Sequence, residues 1–254
     1  MVLHGFAGHA ESWRDVVAAL PGRRVEAITL FGHDHEHPAR AEIAFDDEVA
    51  RVVSILRKLG GAVRLCGYSM GGRVTLGVLA RAPELVASAL LVGANPGLST
   101  DEERTQRAAS DAIWAELLER EPVAVFAEKW QAQALFATQR TLDPERLAGQ
   151  TAVRLRHDPR SLAMAMRSLG LARMPSYWSV LETVSVPIDF VVGALDTKFV
   201  ALATRMSERV PAGLGRVIRV DGAGHNVLLE RPELLAALIG GDRTAPLPSG
   251  ASVV

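Results

Sequence analysis

Residues 63–73 read VRLCGYSMGGR. The apolar residues Val63, Leu65 and Cys66 stop at Gly67, Ser69 follows two positions on, and a helix-like pattern over residues 74–82 begins after two more glycines. That is a strand, a tight turn and a helix with Ser69 at the bend. The spacing Gly67-Tyr68-Ser69-Met70-Gly71 fits G-x-S-x-G, where the glycines let strand and helix approach closely while the serine takes a strained backbone and lifts its hydroxyl off the sheet.

Outward from this turn the chain alternates. Residues 1–3 read as the end of a strand, 4–8 (HGFAG) as a glycine-containing turn, 11–20 as an amphipathic helix, 24–30 as a strand, 31–40 as a loop and 45–59 as a helix with apolar residues at helical spacing. After the serine helix, residues 86–92 form a continuous apolar strand closed by GANPG, and there the alternation stops. Residues 99–177 are helical in pattern, with Thr100 placed to cap a helix and with Pro122, Pro144 and Pro159 as breakers. Strand 187–192, helix 199–210, strand 215–220, loop 221–226 and helix 227–239 then resume the alternation. The expected organisation is an α/β core of residues 1–98 and 179–240, a helical lid of residues 99–178 and a flexible tail of residues 241–254, where Pro246, Pro248 and Gly250 leave little to pack.

Composition narrows the class. With 254 residues, 48% of them hydrophobic, the chain can bury a full core as one unit, and a net charge of -1 without long like-charge runs gives no sign of a nucleic-acid surface. The 28 basic residues are almost all arginine, which fits either a biased genome or the gripping of an anionic substrate by guanidinium groups. The lone Cys66 excludes an internal disulfide and lies in a strand, so an inert core thiol in a reducing compartment is expected. No leader-like start and no long uninterrupted apolar stretch is present, so a cytoplasmic protein without membrane partners is expected, as a monomer or weak homo-oligomer.

Parallel strands alternating with helices put the active site at the carboxyl ends of the strands, where Ser69, Asp196 and His225 each follow a strand. A serine hydroxyl needs an imidazole to take its proton, and the imidazole needs a carboxylate to fix its tautomer, so the three fill the roles of a triad in the order Ser, acid, His. Asp189 falls inside a strand and Asp221 lies too close in sequence to His225, which leaves Asp196 favoured. Developing negative charge needs preorganised donors, and the backbone amides of Phe6 and Met70 are placed to supply them. His4 reads as a structural residue of its turn. The run His33-Asp34-His35-Glu36-His37 has metal-ligand residue types, but a polar surface loop is the favoured reading, and neither a metal nor a cofactor is expected.

Together these turns resemble the α/β-hydrolase fold superfamily, and more narrowly the 2-succinyl-6-hydroxy-2,4-cyclohexadiene-1-carboxylate synthases of menaquinone biosynthesis. The narrower resemblance rests on residues 67–73, on Asn95-Pro96-Gly97-Leu98 leading to Arg104, Arg107, Ser110, Asp111 and Trp114, on Glu121-Pro122 with Val125-Phe126-Ala127, on Trp130, Leu135-Phe136-Ala137 and Leu155-Arg156, and on residues 193–203. It implies elimination of pyruvate from a cyclohexene polycarboxylate, with the triad removing a ring proton. Arg73, Arg104, Arg107 and Arg156 are then the carboxylate clamps, with Trp130 and Phe136 walling off water and Tyr68 lending a hydroxyl or packing. The solvated-helix reading of the arginines competes with this. The rival activity is hydrolysis of a small ester or a carbon-carbon bond through an acyl-enzyme; a non-catalytic binding protein would not need the triad. Two departures stand out. The turn Phe31-Gly32-His33-Asp34 lacks the family's proline and second glycine, and Met1 enters at what is ordinarily the third strand, so the sheet is trimmed to about six strands or the start codon is misplaced.

Overall fold

The computed structural model describes residues 1–253. Strands β1 (Val2–Leu3), β2 (Ala27–Ile28), β3 (Val63–Tyr68), β4 (Val86–Val92), β5 (Ile188–Gly193), β6 (Gly215–Val220) and β7 (Ala251–Val253) form one sheet in the order β2-β1-β3-β4-β5-β6-β7. All pairs are parallel except β6 with β7. Successive residues of a strand point to opposite faces, so both faces are apolar and both are covered. Leu65, Leu91, Phe190 and Val217 point to a core shared with α2 (Phe45–Leu59), α3 (Met70–Arg81) and α9 (Thr197–Ser207). Their neighbours Cys66, Leu90, Val191 and Ile218 point to a second core closed by α1 (Arg14–Ala18), α10 (Val227–Glu230) and α11 (Pro232–Gly240).

Between β4 and β5 the chain leaves the sheet for α4 (Asp101–Arg120), α5 (Val123–Gln131), α6 (Pro144–Leu155), α7 (Pro159–Leu169) and α8 (Trp178–Thr183). Thr100 caps α4 in a reciprocal capping box with Glu103, while Pro122 is the N-cap of α5 and Pro144 and Pro159 open α6 and α7, where a missing amide hydrogen costs nothing. The insertion has a small apolar core of its own, built on Ala115, Leu118, Phe126, Leu162 and Met166, which meets the main body at Phe6 and Ala7.

Several elements differ from the sequence reading. The segment expected to be a helix at 11–20 begins as a 3-10 turn (Ala10–Trp13) before α1, and the strand expected at 24–30 shrinks to two residues because only Ala27 and Ile28 pair with β1. Pro232 removes an amide donor and splits the last helix into α10 and α11. The tail is not loose. Its β7 pairs with β6, bringing the sheet to seven strands instead of about six, and Arg243 bonds Asp189 at 2.9 Å and the carbonyl of Gly213 at 3.0 Å. Asp189, also held by Arg216 at 2.7 Å, is thereby committed to fastening β5, β6 and the tail. Among the described residues no helix is long and apolar enough to cross a membrane.

Candidate active site

Ser69 sits at φ 49, ψ -106, between β3 and α3, a conformation strained for any residue with a side chain. The glycines around it are obligatory: a Cβ on Gly67 would lie 2.3 Å from the Gly71 carbonyl oxygen, and one on Gly71 would lie 2.3 Å from that of Leu3. The strain is held in place by the Ser69 amide donating to the Val92 carbonyl at 2.8 Å and by the Arg73 amide donating back to Ser69 at 3.1 Å.

His225 approaches from the turn after β6, and Asp196 from the turn after β5, where its other carboxylate oxygen caps α9 through the Phe199 amide at 3.3 Å. Nδ1 of His225 lies 2.8 Å from Asp196 Oδ2, and Nε2 lies 3.3 Å from Ser69 Oγ. The imidazole is 3% exposed, with Phe199 at a ring distance of 4.5 Å and Tyr68 at 5.6 Å. On the other side of Ser69 the turn after β1 comes so close that a Cβ on Gly5 would strike the Tyr68 ring at 2.8 Å. Phe6 follows Gly5 in this turn and lines the cleft of the serine, and Met70 opens α3 directly after Ser69. The Ser69, His225 and Asp196 arrangement is suited to moving a proton from a hydroxyl to an imidazole.

The serine opens into a cleft of about 330 Å³ lined by Arg73, Arg107, Trp130, Phe136, Lys198 and His225, among others. Arg73 is buried and donates to the Leu169 carbonyl; burial, reinforced by Arg107, holds its guanidinium down at about 9. Arg107 is steadied by Asp111 at 2.8 Å, a carboxyl that burial pushes above the ordinary range. The aromatic wall is continuous: Phe6 meets Trp130 at 5.1 Å, Trp130 meets Phe136 at 6.2 Å, and Phe136 meets His225 at 6.3 Å.

Two expected clamps are elsewhere. Arg104 spends its guanidinium on the carbonyls of Met174 at 2.9 Å and Leu98 at 3.0 Å, tying α4 to the segments at either end of the insertion. Arg156 lies at the surface in an ion pair with Glu11. Arg154, two residues earlier, is the buried one. It is 4% exposed, it lies 5.8 Å from the centroid of the Phe136 ring, its Nε has no partner among the described residues, and Gln131 is the acceptor for its Nη1. It faces a second chamber of about 100 Å³ that shares Phe6, Tyr68 and Phe136 with the first. Burial depresses its guanidinium to about 10. The sequence signal for it was present in α6, since residues two apart on a helix face roughly opposite directions and only one of the pair can point inward. The histidine-rich run forms no metal site among the described residues: His33 is buried in hydrogen bonds, and His35 stacks on His9 at 4.3 Å.

Comparison with known proteins places the fold. A model described as the alpha/beta hydrolase family matches residues 1–238. A 2-succinyl-6-hydroxy-2,4-cyclohexadiene-1-carboxylate synthase of Enterobacter sp. (strain 638) is 30% identical over 239 residues, covering 93% of this chain and 88% of its own. The structure of MenH from S. aureus superposes with a TM-score of 0.88 at 26% identity, covering 94% of this chain and 91% of that one. A thermophilic esterase from Thermogutta terrifontis shares the fold at a TM-score of 0.78 and 23% identity, over 94% and 86% of the two chains. The chain therefore belongs to the alpha/beta hydrolase family, on the branch that carries the 2-succinyl-6-hydroxy-2,4-cyclohexadiene-1-carboxylate synthases.

Proposed function

We propose that this chain releases pyruvate from 2-succinyl-5-enolpyruvyl-6-hydroxy-3-cyclohexene-1-carboxylate, leaving 2-succinyl-6-hydroxy-2,4-cyclohexadiene-1-carboxylate, a step of menaquinone biosynthesis. The observation that carries the reading is the charge of the enclosed cleft and its neighbouring chamber. Arg73, Arg107 and Lys198 line the cleft that holds the serine, and Arg154, without a carboxylate partner among the described residues, lines the neighbouring chamber, where Glu11, Asp15 and Glu145 also lie. A cation buried without a counter-charge is costly, and a polycarboxylate substrate supplies what is missing, whereas a neutral ester would not. The relatives that bear the synthase name support the same reading.

In this reading Ser69, Asp196 and His225 are the catalytic residues. Ser69 passes its proton to Nε2 of His225, whose cation Asp196 stabilises, and Ser69 Oγ then removes the ring proton next to the succinyl ketone. The electron pair of that C–H bond becomes a new ring double bond, the existing double bond moves one position along the ring, and the bond to the enolpyruvyl oxygen breaks. Charge that collects on the succinyl oxygen during the step meets the amides of Phe6 and Met70. The departing enolpyruvate takes up the proton and becomes pyruvate. No acyl-enzyme forms. Residues 99–178 serve as a lid on the core of residues 1–98 and 179–240, with Trp130 and Phe136 excluding water and Tyr68 dividing the two chambers.

Pyruvate release from the enzymatically generated precursor, run beside hydrolysis of a short-chain nitrophenyl ester, tests the proposal. Pyruvate release that disappears in Ser69→Ala, with feeble ester turnover, is expected. Brisk ester cleavage with no pyruvate above the spontaneous rate overturns it in favour of an acyl-enzyme hydrolase.

A further inference from the structure

The turn that carries the Phe6 amide is not self-supporting. Ala7, the next residue, has φ 56, in the left-handed region that non-glycine residues avoid, and the bond from the Gly8 amide to the Gly5 carbonyl at 3.1 Å only closes the turn on itself. The strained Ala7 peptide is fixed from outside, by its amide donating to Nε2 of His33 at 3.1 Å. The other ring nitrogen, Nδ1, donates to the Phe31 carbonyl at 2.8 Å, which settles the tautomer: a proton on Nδ1 and a lone pair on Nε2. His4 makes the reciprocal connection, its Nε2 accepting from the Leu30 amide at 2.9 Å, so two imidazoles lace this turn to the segment after β2.

His33 is in turn placed by the helical insertion. Gly32, at φ +74, lies so close to α7 that a Cβ there would sit 2.6 Å from both the Ala165 Cβ and the Ser161 carbonyl oxygen. Ser161 Oγ donates to the Gly32 carbonyl at 3.2 Å and accepts from the Ala39 amide at 2.8 Å. The ring of His157, between α6 and α7, meets His33 edge-on at 5.5 Å, and Phe6 meets it edge-on at 5.4 Å.

From this chain of contacts we infer that His33 is a positioning residue: through the Ala7 amide it holds the Phe6 amide in line with Ser69, and it conveys the seating of α7 to that donor. The inference rests on the serine-and-amide part of the proposed function and not on the identity of the substrate. His33 acts only as a neutral acceptor. Its complete burial, with His4 adding to the effect, keeps its basicity well below the ordinary histidine range, and among the described residues no carboxylate makes contact with its ring to reverse this.

Covalent labelling of Ser69 by a simple alkyl fluorophosphonate tests the inference, because the phosphonyl oxygen uses the same amides whatever the natural substrate is. In His33→Phe the ring is kept and the acceptor is lost; the labelling rate and the kcat for pyruvate release are expected to fall together about 10- to 100-fold, with KM within about twofold. In His33→Gln, whose amide oxygen can take the place of Nε2, labelling is expected within about fivefold of wild type. Wild-type labelling in a folded His33→Phe, or equal damage in both variants, would overturn the inference. Should His33→Phe not fold, nitrogen NMR of the wild-type ring decides: an Nδ1–H tautomer unchanged from pH 8 to pH 5.5 is required, and an Nε2–H tautomer or an imidazolium refutes it. If wild type labels normally but yields no pyruvate, the substrate assignment fails while the role of His33 stands.

Discussion

Arg154→Met separates a binding arginine from a structural one. Arg154 is 4% exposed, has no carboxylate partner among the described residues, and its guanidinium is held down at about 10. Measured against an arginine in water, that depression is roughly 3 kcal/mol of burial cost opposing the folded state. Methionine fills a similar volume without the charge. It forfeits the charge-assisted bond to Gln131, worth about 1.5–3 kcal/mol, so a net gain of no more than about 1.5 kcal/mol and a Tm equal to or a few degrees above that of wild type are expected. Function should move the other way. A charge-assisted bond to a substrate carboxylate contributes about 1.5–3 kcal/mol, so kcat/KM for pyruvate release, followed through coupled reduction of the pyruvate, should drop about 10- to 150-fold. A variant at least as stable and clearly less active is the expected pair. A variant that melts lower while keeping full activity would mean that Arg154 holds up the insertion, and the charge argument for the substrate would fall with it.

Arg156→Ala removes an exposed ion pair with Glu11, so kcat/KM should stay within about twofold and Tm within about 2 °C; a large loss of activity would return this residue to the site. Arg104→Ala should lower stability by about 1–3 kcal/mol in urea unfolding through its two lost carbonyl bonds, with less effect on KM than Arg154→Met. Acid should weaken the fold through its buried histidines. Burial holds His4 near about 3 and His157 near about 2, and depresses His33 strongly, so on acidification below about pH 6.5 the unfolded chain binds protons that the folded chain refuses. Stability present above that pH should fall by up to about 1.4 kcal/mol per pH unit per histidine, and a urea midpoint that does not move between pH 7 and pH 5 would contradict it. Cys66 is buried and its thiol is pushed up to about 12, so iodoacetamide at pH 8 should label only unfolded protein.

What could be read in the sequence was local. The serine turn, the acid turn after β5 and the histidine turn after β6 each announce themselves within about six residues, and the parallel alternation brings their strand ends together without further information. The insertion was harder. Its proline and threonine boundaries were visible, but the facing of α6 depends on what it packs against, and Arg156 was favoured where Arg154 points inward. Arg104 is hard to place for a related reason, since backbone carbonyls compete for a guanidinium and leave no mark in the sequence. His33 lies within a run that reads as a polar surface loop, yet it is buried, and only the fold brings it to Ala7, twenty-six positions away. The tail was underestimated because a three-residue strand needs almost no pattern of its own when a complete neighbour is waiting.

The two outermost strands of the sheet, β2 and β7, contain two and three residues. Open backbone groups along a sheet border are what a second polypeptide would extend, and so few of them give an incoming strand little to grip. Pairing of copies edge to edge along β2 or β7 would therefore engage only a few backbone hydrogen bonds on either side.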